Sequence, residues 1–389
     1  MKKKYIIFSL VTLVLLVALI TSFNYFKTTN TYIDDSVNNQ TKITKGISMN
    51  LEQTAGAGDY KTVTRSSWPT EGYKFNTELS RCENGGELSW DDINKKVIVT
   101  GNVSDKCYVY FDIWIPSIAA YCTSGTDLAT CVKNFGDQGP SVSNIYIHNS
   151  ALTNGAGDNS YRYAGANPNN YVCFGSEATT CPDANLFRII GVFGDQAKVI
   201  RAKSVGDQPW HTSQVNNWSS SSLNTYLNGE YLTSLGTLAE KIATTTWKVG
   251  GGDEANISFS VPATAYQYEV GSSASTTTVD KKIGLMYVSD YYYGASPSAW
   301  KLVGYNSSDA TKDYRAATST NWLYLGSTEW TISRNSGYTY LAFLVNSAGY
   351  VYYSGYVPVS LAVRPSFNLL SSVKYISGSG SMSDPVRIN

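Results

Sequence analysis

Hydrophobic and polar positions alternate with a period of two wherever this chain is most strongly patterned. Cys107, Val109, Phe111 and Ile113 alternate with Tyr108, Tyr110, Asp112 and Trp114, the mark of a strand with one buried face. "SWDDINKKVIV" reads as strand, Asp/Asn turn and strand. "LFRIIGVFG" followed by "KVIRAKSV" reads as a hairpin turned at Gly194-Asp195, and "AFLVNSAGYVYY" as another with an Asn/Gly turn. Helical spacing stands out once, in "WSSSSLNTYLNGEYLTSLGTLAEKI". There Leu223, Tyr226, Leu227 and Tyr231 recur, Ser219 is placed to cap, and Asn228-Gly229 marks a break. Short strand-like runs follow: "KKIGLMYVSD", "NWLYLG", "YTYLAFLV", "YVYYSGYVPV", "LAVRPSFNLL" and "DPVRIN". An early hairpin, one or two helices and many short strands between long loops predict an α+β domain.

The amino-terminal pattern is of another kind. Lys2, Lys3 and Lys4 precede "YIIFSLVTLVLLVALITSF", an uncharged run from Tyr5 to Phe23. A spanning helix needs roughly 20 apolar residues, longer than the apolar core of a cleaved signal peptide. The small-x-small cleavage pattern is poor here, since Leu19 and Ile20 follow Ala18. The expectation is an uncleaved signal anchor, with residues 1–27 as cytoplasmic tail and transmembrane helix. Three lysines before the span, against the lone Lys27 after it, put the amino terminus in the cytoplasm and everything later outside a single-pass cell membrane. Residues 28–65 are polar and weakly patterned and read as a stalk. Residues 66–116 form a small β module. Residues 117–160 read as a linker looped by "CTSGTDLATC", and 161–389 as the main domain.

Six cysteines bear on the compartment: Cys82, Cys107, Cys122, Cys131, Cys173 and Cys181. Their spacings give neither the knuckles of a zinc site nor the C-x-x-C of a redox pair. Disulfides in an oxidising compartment are the expectation, paired between sequential neighbours: Cys82–Cys107, Cys122–Cys131 and Cys173–Cys181. A module of about 50 residues buries little surface and gains most from such a staple. Charge excludes one class of partner. Lys+Arg 30 balances Asp+Glu 30, so nothing here suggests nucleic acid.

"YRYAGANPNNYVCFGS", "CPDANLFRIIGVF", "LNTYLNGEYL", "GLMYVSDYYYGAS", "NWLY", "WTISR" and "AVRPSFNLLSSVKYISGSGSMSDPVRIN" together resemble a family of bacterial surface domains of uncharacterised function. The resemblance runs over the third segment, and "SWPTEGYKFN" with "CENG" and "CYVYF" resembles a module that recurs with it. That family is similar to the C-type-lectin-like fold shared with formylglycine-generating sulfatase-modifying factors. The resemblance therefore implies a lectin-like domain over 161–389 and carries no activity with it. The sulfatase-modifying chemistry would need a cysteine pair in the core of this domain to hold copper, and no cysteine follows Cys181. The calcium-dependent sugar site of the lectins would need carboxylates that "QPW" at Gln208–Trp210 and "NNW" at Asn216–Trp218 lack. No metal and no cofactor is expected.

Catalytic candidates are thin. The chain has two histidines, His148 on an alternating run and His211 in the loop "QPWHTSQ", and no G-x-S-x-G or H-E-x-x-H. The chain is expected not to be an enzyme. Exposed rings are the remaining chemistry: Tyr291, Tyr292 and Tyr293 read as leaving a strand end into a loop, with Trp300 and Tyr338 on neighbouring loops. These five are the expected ligand-binding residues, for a glycan or a protein at the cell surface. An architectural envelope or pilus-like role is the alternative, and a surface hydrolase a lesser one. Arg364, before Pro365, is expected to be buried and to satisfy loop carbonyls.

Overall fold

The computed structural model describes residues 46–389, apart from 55–56, 65–67, 70–71, 92–94, 102–104 and 115. The expected anchor at 5–23 and the first part of the expected stalk lie outside the described residues. Among the described residues no helix is long and apolar enough to cross a membrane. The chain divides into two compact units, Met1–Pro116 and Ser117–Asn389.

In the smaller unit, strands β1 (Ile47–Glu52), β2 (Tyr60–Val63), β3 (Tyr73–Phe75), β4 (Arg81–Cys82), β5 (Glu87–Asp91), β6 (Lys96–Thr100) and β7 (Cys107–Ile113) follow one another. The alternation read in the sequence makes β7 the centre of a five-stranded sheet. It pairs in parallel with β1 and antiparallel with β3 and β4, while β2 lies on the outer side of β1. Val109 and Phe111 point into a core shared with Met49, Leu51, Trp68, Phe75 and Val97. The last of these comes from the β5–β6 hairpin expected from "SWDDINKKVIV". Ile47–Glu52 and Tyr60–Val63 are therefore strands of this sheet, which corrects the stalk drawn to residue 65. Polar composition misled because β1 buries its polar side chains with partners. Asn50 donates to the Val109 carbonyl at 3.3 Å, and Glu52 accepts the Ile113 N–H at 2.9 Å.

The larger unit carries strands β8 (Ile145–Ile147), β9 (Tyr161–Tyr163), β10 (Tyr171–Cys173), β11 (Leu186–Phe193), β12 (Gln196–Arg201), β13 (Asp207–Pro209), β14 (Thr245–Lys248), β15 (Thr278–Lys281), β16 (Glu329–Arg334), β17 (Leu341–Val345), β18 (Val351–Tyr356), β19 (Ser360–Ala362), β20 (Ser366–Asn368), β21 (Tyr375–Ser377) and β22 (Val386–Ile388). An eight-stranded sheet runs β20-β12-β11-β10-β22-β21, with β9 on β11 and β8 on β9. A five-stranded sheet runs β13-β19-β16-β17-β18. The β11–β12 hairpin turns at Gly194-Asp195 as expected, with Gly194 at φ +62.

Seven α-helical segments join these strands: α1 (Leu128–Gly136), α2 (Pro140–Ser143), α3 (Ser222–Tyr226), α4 (Leu232–Ser234), α5 (Glu254–Ile257), α6 (Pro262–Glu269) and α7 (Val288–Gly294). The expected α+β domain with one or two helices, lectin-like in layout, is thereby corrected. The chain is a mixed α/β structure of about 22% helix and 32% strand, its helices interleaved with the strands. The expected linker at 117–160 is corrected too. Leu128, Cys131, Val132 and Phe135 line one face of α1, and all four belong to the main core with β11 and β12. At Asn228-Gly229 the helix does not break; a π-helical turn, Leu227–Tyr231, carries α3 into α4. Asn228 holds that turn by donating to the Ile283 carbonyl at 2.8 Å and accepting the Ile283 N–H at 3.0 Å.

All three expected disulfides are present, Cys82–Cys107, Cys122–Cys131 and Cys173–Cys181. The first joins two residues already opposite one another in the β4–β7 ladder.

Candidate functional site

Four of the five rings expected to bind ligand are in the core. Residues 288–294 form helix α7, and every residue of it is buried, Tyr291, Tyr292 and Tyr293 included. The strand expected from "KKIGLMYVSD" ends at Lys281, so the tyrosines do not leave a strand end. A short helix covered on all sides needs no polar face, and its phenols find partners inside. The Tyr291 hydroxyl donates to the Gly349 carbonyl at 2.6 Å, and Tyr292 to the Ile257 carbonyl at 2.8 Å. Trp300 is fully buried as well, stacked edge-on against Tyr293 at 5.3 Å and donating to the Ala295 carbonyl at 3.0 Å. Tyr291, Tyr292, Tyr293 and Trp300 are thus corrected from ligand contacts to packing residues. Tyr338 alone reaches solvent, 42% exposed.

Other rings do form a surface, and α7 lies beneath it. The β17–β18 hairpin turns at Asn346–Gly349, where Gly349 has φ +92 and accepts the Tyr291 hydroxyl. From this turn Tyr350, Tyr352 and Tyr353 emerge half-exposed. The Tyr305 ring lies 4.8 Å from Tyr350, 5.9 Å from Tyr352 and 6.5 Å from Tyr353. Phe259, 44% exposed, meets Tyr353 edge-on at 5.2 Å. Tyr338, Tyr340 and Tyr356 continue the array at 6.1 and 6.3 Å between successive rings. Asn335 links the two groups, donating to the Tyr353 carbonyl at 3.0 Å while its own carbonyl shares the Asn216 amide with that of Tyr338.

Backbone anchors fix these rings. The Tyr305 N–H donates to the Ser258 carbonyl at 2.7 Å, and the Val351 N–H to Gly304 at 3.0 Å. The buried Asn216 amide lies 2.6 to 2.8 Å from the carbonyls of Asn335, Tyr338 and Leu341, holding the loop that presents Tyr338 and Tyr340. A cation sits at the other edge. The Arg315 guanidinium lies 5.2 Å from the Tyr350 ring centre and 5.6 Å from Tyr305. Asp313, itself fully buried, accepts from Arg315 Nε at 2.9 Å and Nη2 at 2.6 Å, and this pairing raises the guanidinium pKa. Burial pushes up the hydroxyls of Tyr350 and Tyr353, which therefore stay protonated as donors.

Of the two histidines, His211 lies at the edge of this surface, its N–H donating to the Val357 carbonyl at 3.1 Å beside Tyr356. His148 is buried between Tyr293 and Trp300. Burial and the Arg162 charge pull its pKa down to about 2, so it stays neutral. Asp253 caps α5 by accepting the Asn256 N–H at 2.8 Å. Among the described residues no three His, Cys, Asp or Glu side chains converge as a metal site would require. A polar depression of about 390 Å³ lies elsewhere, between α1 and residues 371–374, with the Lys374–Asp127 ion pair in its lining. It offers no ring.

No family model, curated protein or solved structure matches this chain.

Sequence reasoning missed Phe259, Tyr305 and Arg315, which come from three separate stretches. "YVYYSGY" carries a visible signal, four tyrosines within seven positions at an edge strand.

Proposed function

We propose that this protein works outside the cytoplasm and binds a glycan on the ring surface of Phe259, Tyr305, Tyr350, Tyr352 and Tyr353. The observation that carries this reading is the contiguity of the rings. Five aromatic side chains, all partly open to solvent, lie in successive contact on one face. A sugar ring has an apolar C–H face and a hydroxyl rim. Tyrosines supply a flat apolar face for the first and protonated hydroxyls for the second, at low cost in side-chain entropy. The backbone anchors mean that little ordering is left to bind. Three formed disulfides support the oxidising compartment in which surface glycans are met.

A glycan array probed with the purified full chain tests this. Retention of a defined set of sugars is expected, with Tyr305→Ala and Tyr353→Ala each weakening it about tenfold, or roughly 1.4 kcal/mol. A blank array, or variants that bind like the wild type, defeats the proposal.

A further inference from the structure

Buried charge gathers where β12 passes the amino end of α7. Lys198 Nζ lies 2.5 Å from Asp290 Oδ2, with side chains only 6% and 2% exposed. The lysine is walled by rings, its Nζ 4.6 Å from the centre of Tyr287, 5.3 Å from Trp247 and 5.6 Å from Phe193. Asp290 Oδ2 also accepts the Tyr287 N–H at 2.8 Å. Asp290 Oδ1 faces Arg162 Nη1 at 3.5 Å, and Arg162 is held in turn by Asp158 at 2.6 Å. A third carboxyl, Glu269, is buried at the amino end of α7. It accepts the N–H groups of Val288 and Ser289 at 2.8 Å and the Ser333 hydroxyl.

We propose that Lys198 and Asp290 are joined in the folded protein by an intramolecular amide bond between Nζ and Cγ.

Burial separates this pair from three other lysine–aspartate contacts. Lys203–Asp183 is 59% and 62% exposed, Lys374–Asp127 38% and 42%, and Lys312–Asp309 72% and 35%. In water, solvation of the two ions favours the separate acid and amine. In a dry site that solvation is gone, and burial favours the neutral amine and the neutral acid, the forms that react. Burial indeed lowers the Lys198 pKa and raises that of Glu269. The reaction is attack of Nζ on the Asp290 Cγ. The N–C bond forms and the C–OH bond breaks. One proton from the nitrogen leaves with the hydroxyl as water, so neither oxidant nor activating group is required. Arg162 faces the oxygen that remains, where negative charge gathers in the tetrahedral intermediate.

The fixed contact supplies the proximity that makes so slow a reaction feasible without a partner enzyme. The product would close a loop of 92 residues, against 25, 9 and 8 for the disulfides. It would tie β12 to α7 across the core of the larger unit, and longer closures restrain the unfolded chain more.

Peptide mapping by mass spectrometry of the full chain, reduced and denatured, tests this directly. The expected result is one peptide pair, covalently joined through Lys198 and Asp290 and lighter by one water than its two parts, with no tryptic cleavage after Lys198. Lys198→Met and Asp290→Ala should each abolish the joined species. Recovery of the two peptides unjoined from folded wild-type protein overturns the proposal and leaves an ion pair only. The wild-type measurement does not depend on any variant folding.

Discussion

Acid should weaken the larger unit through one side chain. His148 is wholly buried, its Nδ1 accepts the Ala156 N–H at 3.0 Å, and its ring packs 4.5 Å from Tyr293 and 5.2 Å from Trp300. Protonating Nδ1 would break that hydrogen bond and place a cation near Arg162. Burial and Arg162 therefore hold the pKa at about 2, against 6.5 when unfolded. The pKa is depressed in the folded state, so below 6.5 the unfolded chain gains a proton that the folded chain refuses. Stability is complete above the unfolded value and falls as pH drops toward the folded one. Each pH unit costs about 1.4 kcal/mol, so acidification by two units below the unfolded value costs roughly 2.5 kcal/mol. Glu269 and Glu329, whose pKa values burial raises, act in the opposite sense. Comparison with a variant cancels their effect. In His148→Asn the side-chain amide oxygen stands where Nδ1 accepts, and nothing titrates. Urea unfolding at about pH 7.5 should find the variant less stable, because it leaves a cavity between the two rings. By about pH 4.5 the gap to wild type should have narrowed by roughly 2.5 kcal/mol. A gap constant to within about 0.5 kcal/mol would refute the assignment of a dry, neutral histidine.

Two further outcomes follow from buried partners. Arg364 is 3% exposed, reaches both oxygens of Glu329 at 2.7 and 2.8 Å, and also donates to the Leu323 carbonyl at 2.6 Å. Arg364→Met should cost about 3–5 kcal/mol by urea unfolding, because Glu329 is left buried without its cation. Adding Glu329→Gln should restore part of that loss, and a double variant as unstable as the sum of the single ones would contradict the pairing. In the smaller unit, Cys82→Ala with Cys107→Ala reopens a loop of 25 residues. Its unfolding midpoint should fall by the equivalent of about 3 kcal/mol, and an unchanged midpoint would show that the staple adds nothing to the ladder already present.

Local chemistry made much of the framework legible. The alternation through Cys107–Ile113, the two-residue turn at Gly194-Asp195 and the Asn/Gly turn before Tyr350 each act within a few residues, so pattern suffices to find them. Three short-range cysteine pairs were legible for the same reason. Helix α1 could also have been found, since Leu128, Cys131, Val132 and Phe135 recur at helical spacing behind Asp127; the bracketing cysteines drew the reading toward a loop. Arg364 was rightly expected inside and against a loop carbonyl, but its ion partner lies 35 residues away.

Helix α7 had no such signal. All seven of its residues are buried, so no polar face gives a helical period, and its three tyrosines favour strands when taken alone. What covers Tyr291 is the turn at Gly349, 58 residues on. The ring surface likewise draws Phe259, Tyr305 and Tyr353 from segments with no common pattern.

The sequence by itself determined where strands turn, which sulfurs join and that rings would be plentiful, because these depend on neighbours along the chain. Only the tertiary structure decided which rings meet water and which carboxylate meets Lys198. Exposure and pairing are properties of what packs on top, and that covering comes from residues dozens of positions away.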